Sequence, residues 1–273
     1  MMGHVCKIDR NLNLGLHELA RPAEGRGSFS FRRKFAKQQI EDVLLNFDDL
    51  VRNTIDKGPH RKKDFCLDRT MDPPLTHEED KWERAMHRKW GPGSSTEYTP
   101  VCKHVQTYQY PLRASREDRR WGAIDLLGIG TDFLPVPNEL KKCKADESPL
   151  RMLVEVAAYG FAIRKVWPTL KDQWAKAVSP SGALPSQFPA SLDRVTLVGV
   201  APEEYWSRSL GRWPKTEEGK FPAEAWPPFW ELVDALGRWF DIHFVAVEGV
   251  WNDAGLPTIT GARVLELRSD SGQ

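Results

Sequence analysis

The chain has 273 residues, 40% hydrophobic and 28% charged, with a formal net charge of +1. That length can bury a sizeable core as one decorated domain or two small ones, and the near-neutral charge excludes a chain that is basic throughout like a dedicated polyanion binder. No apolar run reaches the roughly 18–20 residues of a membrane span and no apolar leader opens the chain, so a soluble cytoplasmic protein without a membrane partner is expected. Cys6, Cys66, Cys102 and Cys143 are scattered with no C-x-x-C spacing, which reads as free thiols. Residues 1–73 carry 14 basic and 11 acidic groups, residues 74–192 carry 17 and 14, and residues 193–273 carry 8 and 13. The last third is therefore acidic, and any polyanion site must be a local groove.

In chain order, residues 31–56 read as a helix with Arg32, Arg33, Lys34 and Lys37 in its first turns. Cations there oppose the helix dipole unless an anion is near; a solvated helix start is the plainer reading. The polar stretch from Asp56 to Pro74 reads as a linker. Residues 1–73 are thus an N-terminal helical extension, and residues 74–273 an α/β domain. A second helix runs from Thr76 to Trp90, with Thr76 and Glu79 spaced as a capping box and Trp82, Met86 and Trp90 as an apolar stripe. Glu79 and Glu83 both lie on it; Glu79 also reads as a cap and Glu83 as a surface charge. Residues 102–112 alternate like a half-buried strand. Arg113, Arg116, Arg119 and Arg120 follow in a loop, either solvated or holding nucleic-acid phosphates.

The next segment carries the chemistry. Trp121–Gly128 ends an apolar run with Asp125 inside it, and Pro137–Lys142 carries Glu139 and Lys141 two residues apart. Gly128 and Gly130 stand between, where a hairpin would turn. Pairing about a centre near Asp132 sets Asp125 opposite Glu139, with Cβ atoms about 4.5–5.5 Å apart on one face. Lys141 shares that face by strand alternation. Two carboxylates so close need a cation between them, and hard oxygens suit Mg²⁺ or Mn²⁺. Pro135 and Pro137 suit a strand start or edge. Glu-x-Lys also occurs at Glu79–Lys81 and Glu218–Lys220, but only Glu139–Lys141 has an acid-bearing strand before it and an amphipathic helix after it. That helix starts at Ser148–Pro149, a good cap and first residue, and sets Glu155 and Tyr159 on one face.

Asp125, Glu139 and Lys141 on a hairpin, preceded by Gly122-Ala-Ile-Asp125 and followed by a helix, resemble the PD-(D/E)xK, or restriction-endonuclease-like, nuclease superfamily over residues 78–167. Ile124 stands where the family name has proline, and Glu155 where many members have the glutamine of Gln-x-x-x-Tyr. The resemblance implies a central mixed β-sheet flanked by helices and metal-dependent phosphodiester hydrolysis, in DNA foremost. It implies that Asp125, Glu139 and the Leu140 carbonyl bind Mg²⁺ (or Mn²⁺), with Glu79 or Glu83 as a further ligand. Lys141 would orient the attacking water or neutralise developing charge, and Glu155 and Tyr159 would complete the catalytic set.

The rest reads as scaffold. Residues 178–191 form a loop, residues 194–201, 243–248 and 263–267 strands, and residues 226–240 contain a helix. Six tryptophans fall in the C-terminal part 193–273: Trp206, Trp213, Trp226, Trp230, Trp239 and Trp251. They read as core packing, or as stacking groups for bases or a partner. The alternative function is a catalytically silent nuclease-fold module that binds a protein or nucleic-acid partner through this region.

Overall fold

A tight turn after Gly130 organises the sheet. The Gly130 N–H donates to the Leu134 carbonyl at 2.9 Å, and the Leu134 N–H donates to Asp132 Oδ1 at 3.0 Å. Phe133 takes a left-handed backbone, φ 65°, to close the turn. The computed structural model describes residues 14–19, 36–59, 78–112, 121–143, 145, 147–178, 188–209, 223–250 and 256–266.

Six strands lie side by side in chain order: β1 (His104–Pro111), β2 (Ala123–Ile129), β3 (Pro135–Leu140), β4 (Val195–Pro202), β5 (Phe240–Val250) and β6 (Thr258–Val264). β1, β2 and β3 form an antiparallel meander, β3–β4 and β4–β5 pair in parallel, and β6 returns antiparallel to β5. Parallel neighbours need crossovers, supplied here by helices. The described helices are α1 (Leu16–Leu19), α2 (Ala36–Leu45), α3 (Phe47–Asp56), α4 (Glu78–Trp90), α5 (Pro149–Val178), α6 (Glu203–Ser209) and α7 (Trp226–Leu236). The molecule is thus a mixed α/β fold with helices on both faces of the sheet.

Strand alternation distributes side chains between two apolar clusters. Leu197 and Ala201 of β4 pack with α5, the N-terminal helices and α7, whereas Val198 and Val200 pack with Trp82 and Met86 of α4. α5 spans β3 to β4 as the crossover and lies close to the sheet. A Cβ at Gly160 would sit 2.6 Å from the Phe240 ring, and one at Gly199 of β4 would sit 2.6 Å from Met152 Sδ. Ser148 caps α5, its Oγ accepting from the Arg151 N–H at 3.4 Å.

Several boundaries differ from the sequence expectation. Residues 36–56 form two helices broken at Asn46, not one. α5, whose start alone was readable in the sequence, runs to Val178 through Pro168. A proline inside a helix costs about 3 kcal/mol, and the burial of Trp167, Leu170 and Trp174 around it offsets that cost. β6 begins at Thr258, earlier than the expected 263, although the Leu265 N–H still bonds to the Phe244 carbonyl at 2.8 Å. Pro135 and Pro137 sit where β3 pairs with β2 alone, because β4 joins only from Asn138. A missing N–H there costs no bond toward β4. Trp206 is buried, and Trp226, Trp230 and Trp239 pack half-buried against the larger core; Trp213 and Trp251 lie outside the described residues.

Candidate active site

The site is built where β2 begins and β3 ends, beside the first turns of α5. The β2–β3 ladder runs from Ile129↔Pro135 to Leu126↔Asn138, every pair symmetric about position 132. One step further, Asp125 leaves the ladder, and its Oδ2 accepts the Leu140 N–H at 2.8 Å. The main chain at Leu140 therefore faces Asp125 through its N–H, while the Leu140 side chain fills the α4-side cluster. Glu139 lies near the end of β3 and Lys141 one residue past it, its N–H fixed to the Val200 carbonyl at 2.9 Å.

Lys141 gathers the carboxylates. Its Nζ lies 2.5 Å from Glu139 Oε1, 2.8 Å from Glu147 Oε2 and 2.5 Å from Glu155 Oε2. Arg151 stands one turn before Glu155 on α5, with Nε 3.1 Å from Glu155 Oε1 and Nη1 2.5 Å from Glu147 Oε1. Glu139 and Glu155 are also within hydrogen-bonding reach of each other. Glu139 is 3% exposed and Lys141 4%.

α4 brings a second set of acids. Glu83 is 1% exposed, and the Gln109 amide donates to both its oxygens at 2.7 and 2.9 Å. Gln109 stands between Tyr108 and Tyr110, whose ladder partners are Leu126 and Ile124, so it lies across from Asp125. Its φ of 48° is a left-handed backbone inside a strand, strain of the kind held where a side chain must be aimed. Glu79 approaches the other end of the site and accepts the Lys142 N–H at 3.4 Å.

Burial dominates the electrostatics. It pushes the Glu83 carboxyl to about 9, helped by Asp125, and Asp125 to about 7 against the opposing pull of Lys141. Burial and then Asp125 hold Glu139 well above the carboxylate range. Burial also raises Glu79, opposed by Lys141. Lys141 is the reverse case. Burial works against its charge, but Glu139, Glu155, Glu147 and Asp125 together hold it well above the ordinary lysine value. Glu155 is lowered because Lys141 and Arg151 outweigh its burial. Burial and the surrounding acids raise Tyr159 well above its usual value, so it keeps its O–H as a donor.

Neither thiol among the described residues is set up as a nucleophile. Burial pushes Cys102 to about 12 and Cys143 to about 11, and a protonated thiol is a poor nucleophile.

Among the described residues no three His, Cys, Asp or Glu side chains are grouped as a ready metal cage. The donor set nevertheless fits a hard divalent cation. Asp125 and Glu139 converge, Glu139 Oε2 is buried and meets no donor, and burial raises both carboxyls against the pull of Lys141. Oxygen-only donors of this kind suit Mg²⁺ or Mn²⁺.

Asp125, Glu139, Lys141, Glu155 and Tyr159 thus come together, with Glu79 and Glu83 both at their margin. Arg113, Arg116, Arg119 and Arg120 lie outside the described residues. Sequence reasoning missed Glu147, Arg151 and Gln109. The first two carried a readable signal, since Glu147, Arg151 and Glu155 are spaced four apart with alternating charge. Gln109 carried none, because nothing in its neighbours announces a left-handed residue. Searches for relatives add no constraint: no family model, no characterised protein and no solved structure matches this chain.

Proposed function

We propose that this chain is a divalent-metal-dependent nuclease with a restriction-endonuclease-like core, hydrolysing phosphodiester bonds in DNA. One observation carries the reading: Asp125, Glu139 and Lys141 meet at the end of two paired strands, backed by Glu155 and Tyr159 from the crossover helix. The order α4–β1–β2–β3–α5–β4 in a mixed sheet supports it.

In this reading Asp125 and Glu139 hold Mg²⁺ or Mn²⁺, with the Leu140 main chain beside them and Glu79 or Glu83 available as a further oxygen donor. A cation held there would supply an acidified water and offset charge on the phosphate oxygens. Lys141 directs an N–H at the developing oxyanion or the attacking water. Tyr159, kept neutral, donates its O–H to a phosphate oxygen. The arginines of residues 113–120 follow β1 directly in the chain and hold neighbouring phosphates. A reducing cytoplasmic setting suits Cys102 and Cys143, both unpaired.

The test is a cleavage assay on linear, circular and single-stranded DNA and on RNA, with Mg²⁺, Mn²⁺ or EDTA. Cleavage of DNA that vanishes in EDTA and returns with either ion supports the proposal. Undiminished cleavage in EDTA overturns the metal mechanism, and RNA cut in preference to DNA overturns the substrate.

A further inference from the structure

Four side chains at the junction of β3 and α5 close a ring of alternating charge. Arg151 Nη1 meets Glu147 Oε1 at 2.5 Å, and Glu147 Oε2 meets Lys141 Nζ at 2.8 Å. Lys141 Nζ meets Glu155 Oε2 at 2.5 Å, and Glu155 Oε1 returns to Arg151 Nε at 3.1 Å. Both oxygens of both carboxylates are engaged, and the four formal charges cancel. An ammonium has three N–H donors. Lys141 directs two into the ring and the third at Glu139 Oε1, 2.5 Å away. Glu139 keeps a second oxygen, Oε2, that is buried and meets no donor.

We infer that Glu147 and Arg151 are positioning residues: the ring anchors Lys141 through two donors and reserves the third, parked on Glu139, for the scissile phosphodiester. This rests on the nuclease reading and deepens it. A flexible lysine aims poorly, because its stem has four rotatable bonds and its charge is a point. Two fixed carboxylates, Glu155 on α5 and Glu147 just before its first turn, remove that freedom before substrate arrives, and pre-set geometry is what makes a charge effective in the transition state. Glu155 is acidic where the resemblance predicts glutamine, and Arg151 one turn away compensates the added charge.

The ring has a second consequence. Being neutral, it leaves Asp125 and Glu139 to set the charge that attracts a divalent cation. Changing the ring by one unit must therefore move cation affinity, with a sign fixed in advance. Glu147→Gln leaves the ring at +1, and Arg151→Met leaves it at −1. Glu147→Gln with Arg151→Met restores neutrality, and Arg151→Lys keeps neutrality but loses the two-pronged fork.

The experiment titrates Mn²⁺ into the full chain by calorimetry and measures kcat and KM on linear duplex DNA, with thermal melts for each variant. Glu147→Gln is expected to weaken Mn²⁺ binding on the order of tenfold and Arg151→Met to tighten it by a similar factor. The double variant should return to within about twofold of wild type, and Arg151→Lys should stay there too. Both single charge variants and Arg151→Lys should lower kcat with KM unchanged, because Lys141 loses its aim. Mn²⁺ affinities that move together, or not at all, while the wild type binds Mn²⁺ and cuts, overturn the ring alone. A wild type that neither binds Mn²⁺ nor cuts overturns the nuclease reading and this inference with it. Should Arg151→Met fail to fold, Glu147→Gln against Arg151→Lys still decides, since only the first changes ring charge.

Discussion

The β2–β3–α5 corner and the tryptophan-rich C-terminal part bury opposite kinds of side chain. The corner buries Glu139, Lys141, Glu155 and Glu83. The C-terminal part buries Trp206, Phe229 and Phe240, and Trp206 donates its indole N–H to the Val245 carbonyl at 3.0 Å. Buried tryptophans with satisfied N–H groups stabilise a fold directly. Buried ion pairs do so poorly, since desolvation consumes most of the Coulombic gain. A fold does not need such a corner for stability, so the corner is the part that points to chemistry, whereas the described tryptophans of the C-terminal part pack against the core. Trp226 and Trp230 stack at 5.8 Å and are half-buried against the core.

The largest expected break in that comparison is Asp125→Asn. Removing the carboxylate proposed to hold the metal should lower cleavage on the order of 10³-fold or more. DNA binding in Ca²⁺ should persist, and the melting temperature should hold or rise, because one of several crowded acids is gone. An adaptor would show no change in any activity with Asp125→Asn, and would lose partner binding with substitutions at half-buried Trp230.

Lys141→Ala comes next and affects both properties. Loss of a preorganised charge should cost on the order of 10²–10³ in kcat. A lysine met only in sequence would be expected to contribute little to folding. The structure reverses that expectation: Lys141 is 4% exposed and holds three carboxylates. Its removal should destabilise by about 3–5 kcal/mol at neutral pH, read by urea titration. Lys142→Ala, a half-buried neighbour, should spare both; equal losses from the two would refute the strand register.

Trp206→Ala sharpens the other side. It should cost about 3–5 kcal/mol with unchanged cleavage per folded molecule. A folded variant that had lost cleavage would make the aromatic part functional after all.

The smallest effect is a pH slope. Glu83 at about 9 and Asp125 at about 7 both lie above their unfolded values. The folded metal-free protein therefore binds more protons than the unfolded chain through that interval. Its stability should fall as pH rises from the ordinary carboxylate range toward about 9. Glu83→Gln should flatten the upper part of the slope in thermal melts with EDTA. A melting temperature that climbs over the same interval would refute the assignment.

How much of this was legible varies from element to element. The hairpin centre at 132 was readable because strand period and glycine punctuation are local properties. So was the start of α5, where Ser148 and Pro149 cap it. The far half of α5 was not, because Pro168 argues locally for a stop and only tertiary burial of Trp167 and Trp174 overrides it. The break at Asn46 was hidden for the same kind of reason, since the apolar spacing continues across it. At the site, Asp125, Glu139 and Lys141 were readable as a motif. The ring was not readable, because Glu147 precedes the helix and only the folded chain brings it to Lys141. Whether Glu79 or Glu83 faces the site could not be read from spacing, and both approach it.

The close seating of α5 on the sheet gives these residues a tolerance. Gly160 lies one residue past Tyr159 and meets Phe240 and Leu197, while Gly199 stands across from Glu139 in the β3–β4 register and meets Met152. The height of the helix above the sheet is thus set by two missing methyl groups, and the same height sets how far Glu155 reaches toward Lys141. An alanine at either position would lift the helix by tenths of an ångström and open the 2.5 Å contact between them. Lys141 would then lose its aim through a change in clearance, with every charged group still present.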